Sequence, residues 1–274
     1  MSSIDALFTQ LRRSGRKAFM PFLTAGDPDL DFTAAVLREL AARGSSVCEL
    51  GIPYSDPVAD GPVIQASFTR ALDNHVRLAG IFDMLGRVGP ELALPVVTMV
   101  SYAIIYRHGL ESYVKQAQAA GVAGAIVPDL PVEESAMFAE VCRRRDFSLI
   151  RLIAPTTPRD RALRIAEHTT GFVYYVSVTG ITGERSEFPR EVVDSVAWLR
   201  ERIALPVCVG FGISRPEHVR MLAPVADGLI VGSAIVRHLA EAATQPRRQV
   251  LNQLGNYVAE LVAALEESRG IARS

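Results

Sequence analysis

Pro206-Val-Cys-Val-Gly-Phe-Gly-Ile-Ser214, a helical pattern over 215–223 and then Gly228-Leu-Ile-Val-Gly-Ser233 decide the fold. A short apolar run ends in glycine, a helix opens on the polar side of it, and the same sentence repeats one unit later. Runs that are apolar throughout read as parallel strands buried on both faces. The same rhythm extends back through Ala18–Thr24, Ser46–Gly51, Pro95–Val100, Ala123–Pro128, Ser148–Ala154 and Phe172–Val178, with helical patterns between them. Eight strands each followed by a helix predict one α/β domain over 1–274, a (β/α)8 TIM barrel. An open doubly wound sheet is the alternative, but it rarely runs to eight regular units without a second domain.

Three additions decorate that plan. Ile4, Leu7, Phe8 and Leu11 recur at helical spacing after Ser2 and Ser3, which predicts an extra N-terminal helix over about 2–13. Residues 52–79 insert a loop and a helix after the second strand. A long last helix, about 246–268, carries Val250, Leu251, Leu254, Val258, Leu261, Val262 and Leu265, a stripe that reads as packing against the barrel. The segment 179–189 after the sixth strand is polar and Gly-containing, and loops at that end of a barrel are often lids.

Composition sets outer bounds. The 274 residues are 49% hydrophobic and 22% charged with a net charge of −1, which suits a large core and gives no bulk charge for nucleic acid. Cys48, Cys142 and Cys208 share no ligand spacing and sit in apolar runs, so they read as buried reduced thiols in a cytoplasmic protein. The N-terminus has no secretory h-region, and the most apolar stretch, Leu92 to Tyr106, falls short of the roughly 18 residues of a membrane span.

The chemistry concentrates at strand ends. Gly210-Phe-Gly212 and Gly232-Ser233 end the seventh and eighth strands, where barrel loops recurrently hold phosphate on backbone N–H groups and helix N-termini. The third glycine of a dinucleotide fingerprint is absent, since Arg215 stands there. Tight turns alone would also use these glycines. Glu49 ends the apolar run Val47-Cys-Glu-Leu-Gly51, and burial there should raise its pKa, as a proton shuttle needs. Asp60 follows in a loop stiffened by Pro53, Pro57 and Pro62, and Asp129 stands at the end of the fourth strand. A structural ion pair for Glu49 and a turn cap for Asp60 are the plainer readings. Asp129 suits a catalytic role or a bracing one. The two lysines, Lys17 and Lys115, are badly placed for a Schiff base, and the five histidines are scattered, so no metal constellation is expected. Acid–base chemistry on a phosphorylated small molecule remains.

At this point the residues resemble a known family. Pro21-Phe-Leu-Thr-Ala-Gly-Asp-Pro28, Glu49-Leu-Gly-Ile-Pro-Tyr-Ser-Asp-Pro-Val-Ala-Asp-Gly-Pro62, Pro128-Asp-Leu-Pro-Val-Glu-Glu-Ser135, Ala154-Pro-Thr-Thr157, Val178-Thr-Gly-Ile-Thr-Gly183, Gly210-Phe-Gly-Ile-Ser214 and Gly232-Ser-Ala-Ile-Val236 are similar to the tryptophan synthase alpha subunits, in order from about residue 18 to 240. The resemblance implies a lyase that cleaves indole-3-glycerol phosphate to indole and glyceraldehyde 3-phosphate in the last step of tryptophan biosynthesis. It implies no cofactor in this chain, and a pyridoxal-phosphate beta subunit as partner in an α2β2 tetramer. Glu49 matches the acid–base residue and Asp60 the second acid. Phe22, Val100, Tyr102, Asp129, Tyr174 and Thr182 fall at substrate positions, and Gly183, Gly212, Gly232 and Ser233 at phosphate positions. Departures are Ser67-Phe68-Thr69, Asp73-Asn-His-Val76 and Val178. A stand-alone indole-releasing lyase, an inert activator of the beta chain and a sugar-phosphate isomerase stay open beside this reading. Intact Glu49 and Asp60 speak against the second, and the strand-two motif against the third.

Overall fold

The computed structural model describes residues 2–57, 60–177 and 190–271. Eight parallel strands close in the order β1 to β8, each hydrogen-bonded to its sequence neighbours, with β8 returning to β1. The strands are β1 Ala18–Thr24, β2 Cys48–Gly51, β3 Val96–Met99, β4 Val122–Ile126, β5 Ser148–Ile153, β6 Val173–Val176, β7 Val207–Gly210 and β8 Gly228–Val231. The helices among the described residues are α1 Ser3–Arg13, α2 Leu30–Ala42, α3 Pro62–Asp73, α4 Leu78–Val88, α5 Tyr102–His108, α6 Leu110–Ala119, α7 Ala136–Arg144, α8 Arg159–Glu167, α9 Arg190–Arg202, α10 Pro216–Leu222, α11 Ser233–Ala240 and α12 Arg247–Ile271. The barrel expected from the strand rhythm is therefore the barrel found.

Strand alternation sorts the apolar residues into two cores. Phe19, Leu23, Cys48, Leu50, Val207 and Val209 point outward into the layer under the helices. Met20, Phe22, Val47, Val97, Met99, Ile150, Tyr174 and Cys208 fill the barrel itself. Burial on both faces explains why the strands carry no polar/apolar alternation. Glycine fills one crowded place: a Cβ at Gly51 would lie 2.6 Å from Phe22 Cζ and 3.2 Å from Phe68.

The foot of the barrel is closed by α1. Ser2 caps it, accepting from the Asp5 N–H at 3.2 Å while its own N–H donates to the Asp5 carboxylate at 3.0 Å. That fixes the helix phase, so Ile4, Phe8 and Leu11 are buried in the barrel core, and the Phe8 ring meets Phe172 at 5.7 Å. At the mouth, α3 is the inserted helix. Thr24 and Ser67 share a buried hydroxyl–hydroxyl bond of 2.6 Å, and Arg70 grips Asp27 with two bonds of 2.8 and 2.6 Å. Phe68 is 2% exposed and packs in the barrel core. Ser67 and Phe68, two of the departures noted in the sequence, thus join Arg70 in anchoring α3 to β1 and its following loop.

One element differs from the sequence expectation. Residues 102–108 form α5, read as the tail of an apolar run, and Gly109 at φ 89° separates it from α6. Ser101 caps it, its hydroxyl accepting from Ala103 N–H. No helix among the described residues is long and apolar enough to cross a membrane.

Candidate active site

Register places the first acid. Glu49 pairs with Phe22 of β1 and Val97 of β3, and its neighbours Cys48 and Leu50 face the helices, so Glu49 faces the barrel interior. It is 0% exposed, and neither carboxylate oxygen has a hydrogen-bond partner among the described residues. Burial, aided by the nearby Asp60 charge, lifts its pKa to about 8. An ionised carboxylate without partners is costly in such a place, so the proton stays on into neutral pH. Among the described residues Glu49 has no ion pair of the kind that would make it structural.

Asp60 stands two residues ahead of the first helical residue of α3, at the rim. It is half-buried, and desolvation lifts its pKa to about 6. The amide of Gln65, one turn into α3, donates to the Asp60 carbonyl at 2.8 Å and to the Pro57 carbonyl at 3.3 Å, which pins the loop on both sides. The two acids thus differ by about two units in opposite halves of the neutral range, a separation that suits distinct protonation states.

Both acids line one cleft of about 770 Å³, its open mouth included, at the C-terminal ends of the strands. Phe22, Ile64, Met99 and Tyr174 form its apolar wall, and Phe211 to Ser214, Gly232, Ser233, Ala234 and Arg237 form the other end. Gly210 bears no side chain where a Cβ would run into the Tyr174 phenol. Tyr174 is 3% exposed, and burial together with Glu49 and Asp60 holds its hydroxyl protonated. At the end of β7, Phe211 and Gly212 take successive left-handed conformations at φ 73° and 76°. A phenylalanine there is strained, and such strain concentrates at working sites. Gly232 and Ser233 open α11 with the helix N-terminus toward the cleft.

Of the residues singled out in the sequence, the cleft gathers Glu49, Asp60, Phe22, Tyr174, Gly212, Gly232 and Ser233. Thr182, Gly183 and Val178 lie outside the described residues. Val100 does not line the cleft: it lies one residue past β3 and is buried with the outer core, while Met99 takes the inward place. Tyr102 is also outside the lining, its ring set against Tyr106 and Phe138 of α5 and α7. Asp129 accepts from the Ser101 hydroxyl at 2.6 Å and the Tyr102 N–H at 2.8 Å, so it braces the start of α5. Sequence reasoning missed Ile64, Met99, Ser214 and Arg237. It also missed Tyr54, its ring tilted against Phe68 at 5.5 Å; burial and the charges of Asp60 and Asp129 push the Tyr54 phenol up to about 12. Among the described residues no cluster could hold a metal ion.

A closed parallel barrel that gathers a proton-bearing acid, a second acid and a glycine-rich end at its strand C-termini has the layout of a barrel enzyme acting on a small phosphorylated molecule. The tryptophan synthase alpha chain family profile matches residues 8–266. The alpha chain of Rhodopirellula baltica is 57% identical over 245 residues, covering 88% of each chain, and that of Geobacter sulfurreducens is 46% identical over 270, covering 98% of this chain and 100% of the other. The solved alpha chain of Legionella pneumophila superposes with a TM-score of 0.87 at 32% identity, covering 97% and 98%. The chain belongs to the tryptophan synthase alpha chain family. It is a lyase of tryptophan biosynthesis, the family's half-reaction being cleavage of indole-3-glycerol phosphate to indole.

Proposed function

We propose that Glu49 carries the protons of this cleavage and Asp60 holds the indole N–H. The observation that carries the reading is the wholly buried Glu49 carboxyl, without a partner for either oxygen, facing a cleft that also holds Asp60 and the glycine-lined end. The chemistry runs in two proton transfers. Protonated Glu49 delivers a proton to indole C3, the carbon that bears the glycerol chain, and the ring nitrogen becomes cationic. Ionised Asp60 accepts a hydrogen bond from that N–H and stabilises the cation. The Glu49 carboxylate then takes the proton of the adjacent side-chain hydroxyl. The C–C bond breaks, its electron pair neutralises the ring, the aldehyde of glyceraldehyde 3-phosphate forms, and Glu49 ends protonated as it began. Phe22, Ile64 and Met99 make an apolar slot suited to the ring. Tyr174 stands by to donate to the reacting centre. The phosphate sits on Gly212, Gly232 and Ser233, with Gly183 and Thr182 contributing from the loop after β6. Val100, Tyr102 and Asp129 act by bracing the mouth.

Family membership implies a beta-subunit partner, and we assign this chain to an α2β2 assembly in the cytoplasm in which the beta subunit holds pyridoxal phosphate and receives the indole. The test incubates the chain with indole-3-glycerol phosphate and follows indole, with and without beta subunit, beside Glu49→Gln. Slow release alone, stimulation by the partner and loss in the variant are expected. Indole at an undiminished rate from Glu49→Gln overturns the assignment. So does activation of the beta subunit with no indole from the native chain.

A further inference from the structure

The glycine-rich end of the cleft holds two side chains with no role in the reading above. Ser214 is anchored by its backbone on both sides: its N–H donates to His218 Nδ1 of α10 at 3.3 Å, and its carbonyl accepts from the Tyr257 hydroxyl of α12 at 3.0 Å. Ser214 lines the cleft, and its own hydroxyl is buried and without a hydrogen-bond partner among the described residues. A buried hydroxyl left unpaired on a fixed backbone is costly in the empty protein and is offset by a ligand that pairs it. Arg237 is the second. It lies four residues after Ser233 on α11, hence on the same helix face, and among the described residues it is the only cation lining the cleft. The other ionisable groups there are Glu49, Asp60 and the Tyr174 phenol. A phosphorylated substrate brings its dianion into a cleft that also holds two carboxyl groups. Among the described residues the one positive charge on the cleft, Arg237, is exposed and stands one turn along α11 from Ser233.

We propose that Ser214 and Arg237 are specificity-determining residues that complete the phosphate site, Ser214 as a fixed neutral donor and Arg237 as the charge that sets which way round the substrate binds. The inference rests on the phosphate end of the reading above but not on the proton chemistry. Two donors of different kind leave different signatures. The Ser214 contribution is a buried hydrogen bond and is indifferent to salt. The Arg237 contribution acts from an exposed position and is screened as ionic strength rises.

The test uses the full chain with Ser214→Ala, Arg237→Gln and Arg237→Lys, each checked by thermal melting. Calorimetric titration with glycerol 3-phosphate, which cannot react, reads the site alone. Cleavage of indole-3-glycerol phosphate and of its dephosphorylated analogue reads selectivity. Arg237→Gln should weaken glycerol 3-phosphate about ten-fold at low salt, with the deficit shrinking at high salt and Arg237→Lys restoring most of it. Ser214→Ala should weaken it about three- to ten-fold at every salt concentration. In turnover the losses fall on KM, and the preference for the phosphorylated substrate drops by the same factors. Native affinity in both variants, or losses confined to kcat, overturns the proposal. Weakened glycerol 3-phosphate binding in a chain that releases no indole supports it and sinks the proton chemistry instead. Normal cleavage with native KM in both variants does the reverse.

Discussion

Of the acids that the barrel buries, Asp227 and Glu49 stand at opposite ends and are treated oppositely. Asp227, at the foot just before β8, is 5% exposed and fully engaged: it accepts from the Val207 N–H at 3.0 Å and from Arg200 at 3.2 Å, with Arg12 at 3.6 Å. Glu49, near the mouth, is 0% exposed and engaged by nothing. The foot is finished structure, sealed by α1 and satisfied bond by bond. The mouth keeps an unsatisfied group that folding alone would not select, which is how a site for chemistry differs from a site for stability.

The largest expected effect breaks the comparison by exchanging carboxyl for amide at each end. Glu49→Gln should lower kcat about a hundred- to ten-thousand-fold, the range for removing a positioned acid–base group, and leave the fold intact. Asp227→Asn should leave kcat within about two-fold while costing about 2 kcal/mol of stability, because the amide keeps only one of the two acceptor oxygens, sets its NH2 against a donor and removes the charge that Arg200 and Arg12 face. Steady-state kinetics beside urea unfolding checks both. A catalytic loss from Asp227→Asn at full folding would mean that the foot is no mere support.

Next in size is the pH dependence. The folded pKa of Glu49, about 8, lies above its ordinary value of 4.5. Folding therefore favours the protonated form. That advantage is fully present below pH 4.5 and is lost as pH rises to about 8, because the unfolded chain ionises first. Glu49→Gln has no such loss, so its stability relative to the native chain should climb across this window by up to a few kcal/mol and then level off. Urea midpoints at pH 5, 7 and 8.5 read it. A constant difference would show that the buried carboxyl finds a partner in solution. In the rate, a requirement for ionised Asp60 and protonated Glu49 gives kcat/KM that rises through about pH 6 and falls through about pH 8, and Asp60→Asn should remove the acid limb.

The same contrast explains what was legible in the sequence. Glu49 was, because a carboxylate inside an apolar run has nowhere cheap to go. The strands were, because burial on both faces makes each an unbroken apolar run. That property also hides which residue faces in: nothing in Pro95–Val100 distinguishes Met99 from Val100, and only the register of β3 against β2 and β4 decides. α5 was hidden for a related reason, since 102–108 continue an apolar stretch and the turn that ends it depends on Gly109 alone. Asp129 reads as an acid at a strand end, but its partners Ser101 and Tyr102 lie 28 and 27 residues away in sequence. Arg237 shares the face of Ser233 by its spacing on α11, but that this face lines the cleft is set by packing against the barrel.

The smallest expected effect sharpens the comparison by showing that the mouth is not uniform. Thr24 and Ser67 are buried there, yet they are paired at 2.6 Å, and the Ser67 hydroxyl also lies 2.7 Å from the Ile64 carbonyl. They belong with Asp227 in kind and with Glu49 in place. If chemistry follows unsatisfied groups and not position, Ser67→Ala should cost about 1 kcal/mol of stability, leaving the Thr24 hydroxyl short of a partner, and should leave kcat unchanged. Ile64 lines the cleft one turn away, so a shift of α3 would register in KM before it touched the rate. A drop in kcat at unchanged KM would mean instead that the α3 anchor holds Asp60 in its working position, since Gln65 ties the Asp60 carbonyl to the same helix. The division would then run between the acids and everything that fixes them, not between satisfied and unsatisfied groups.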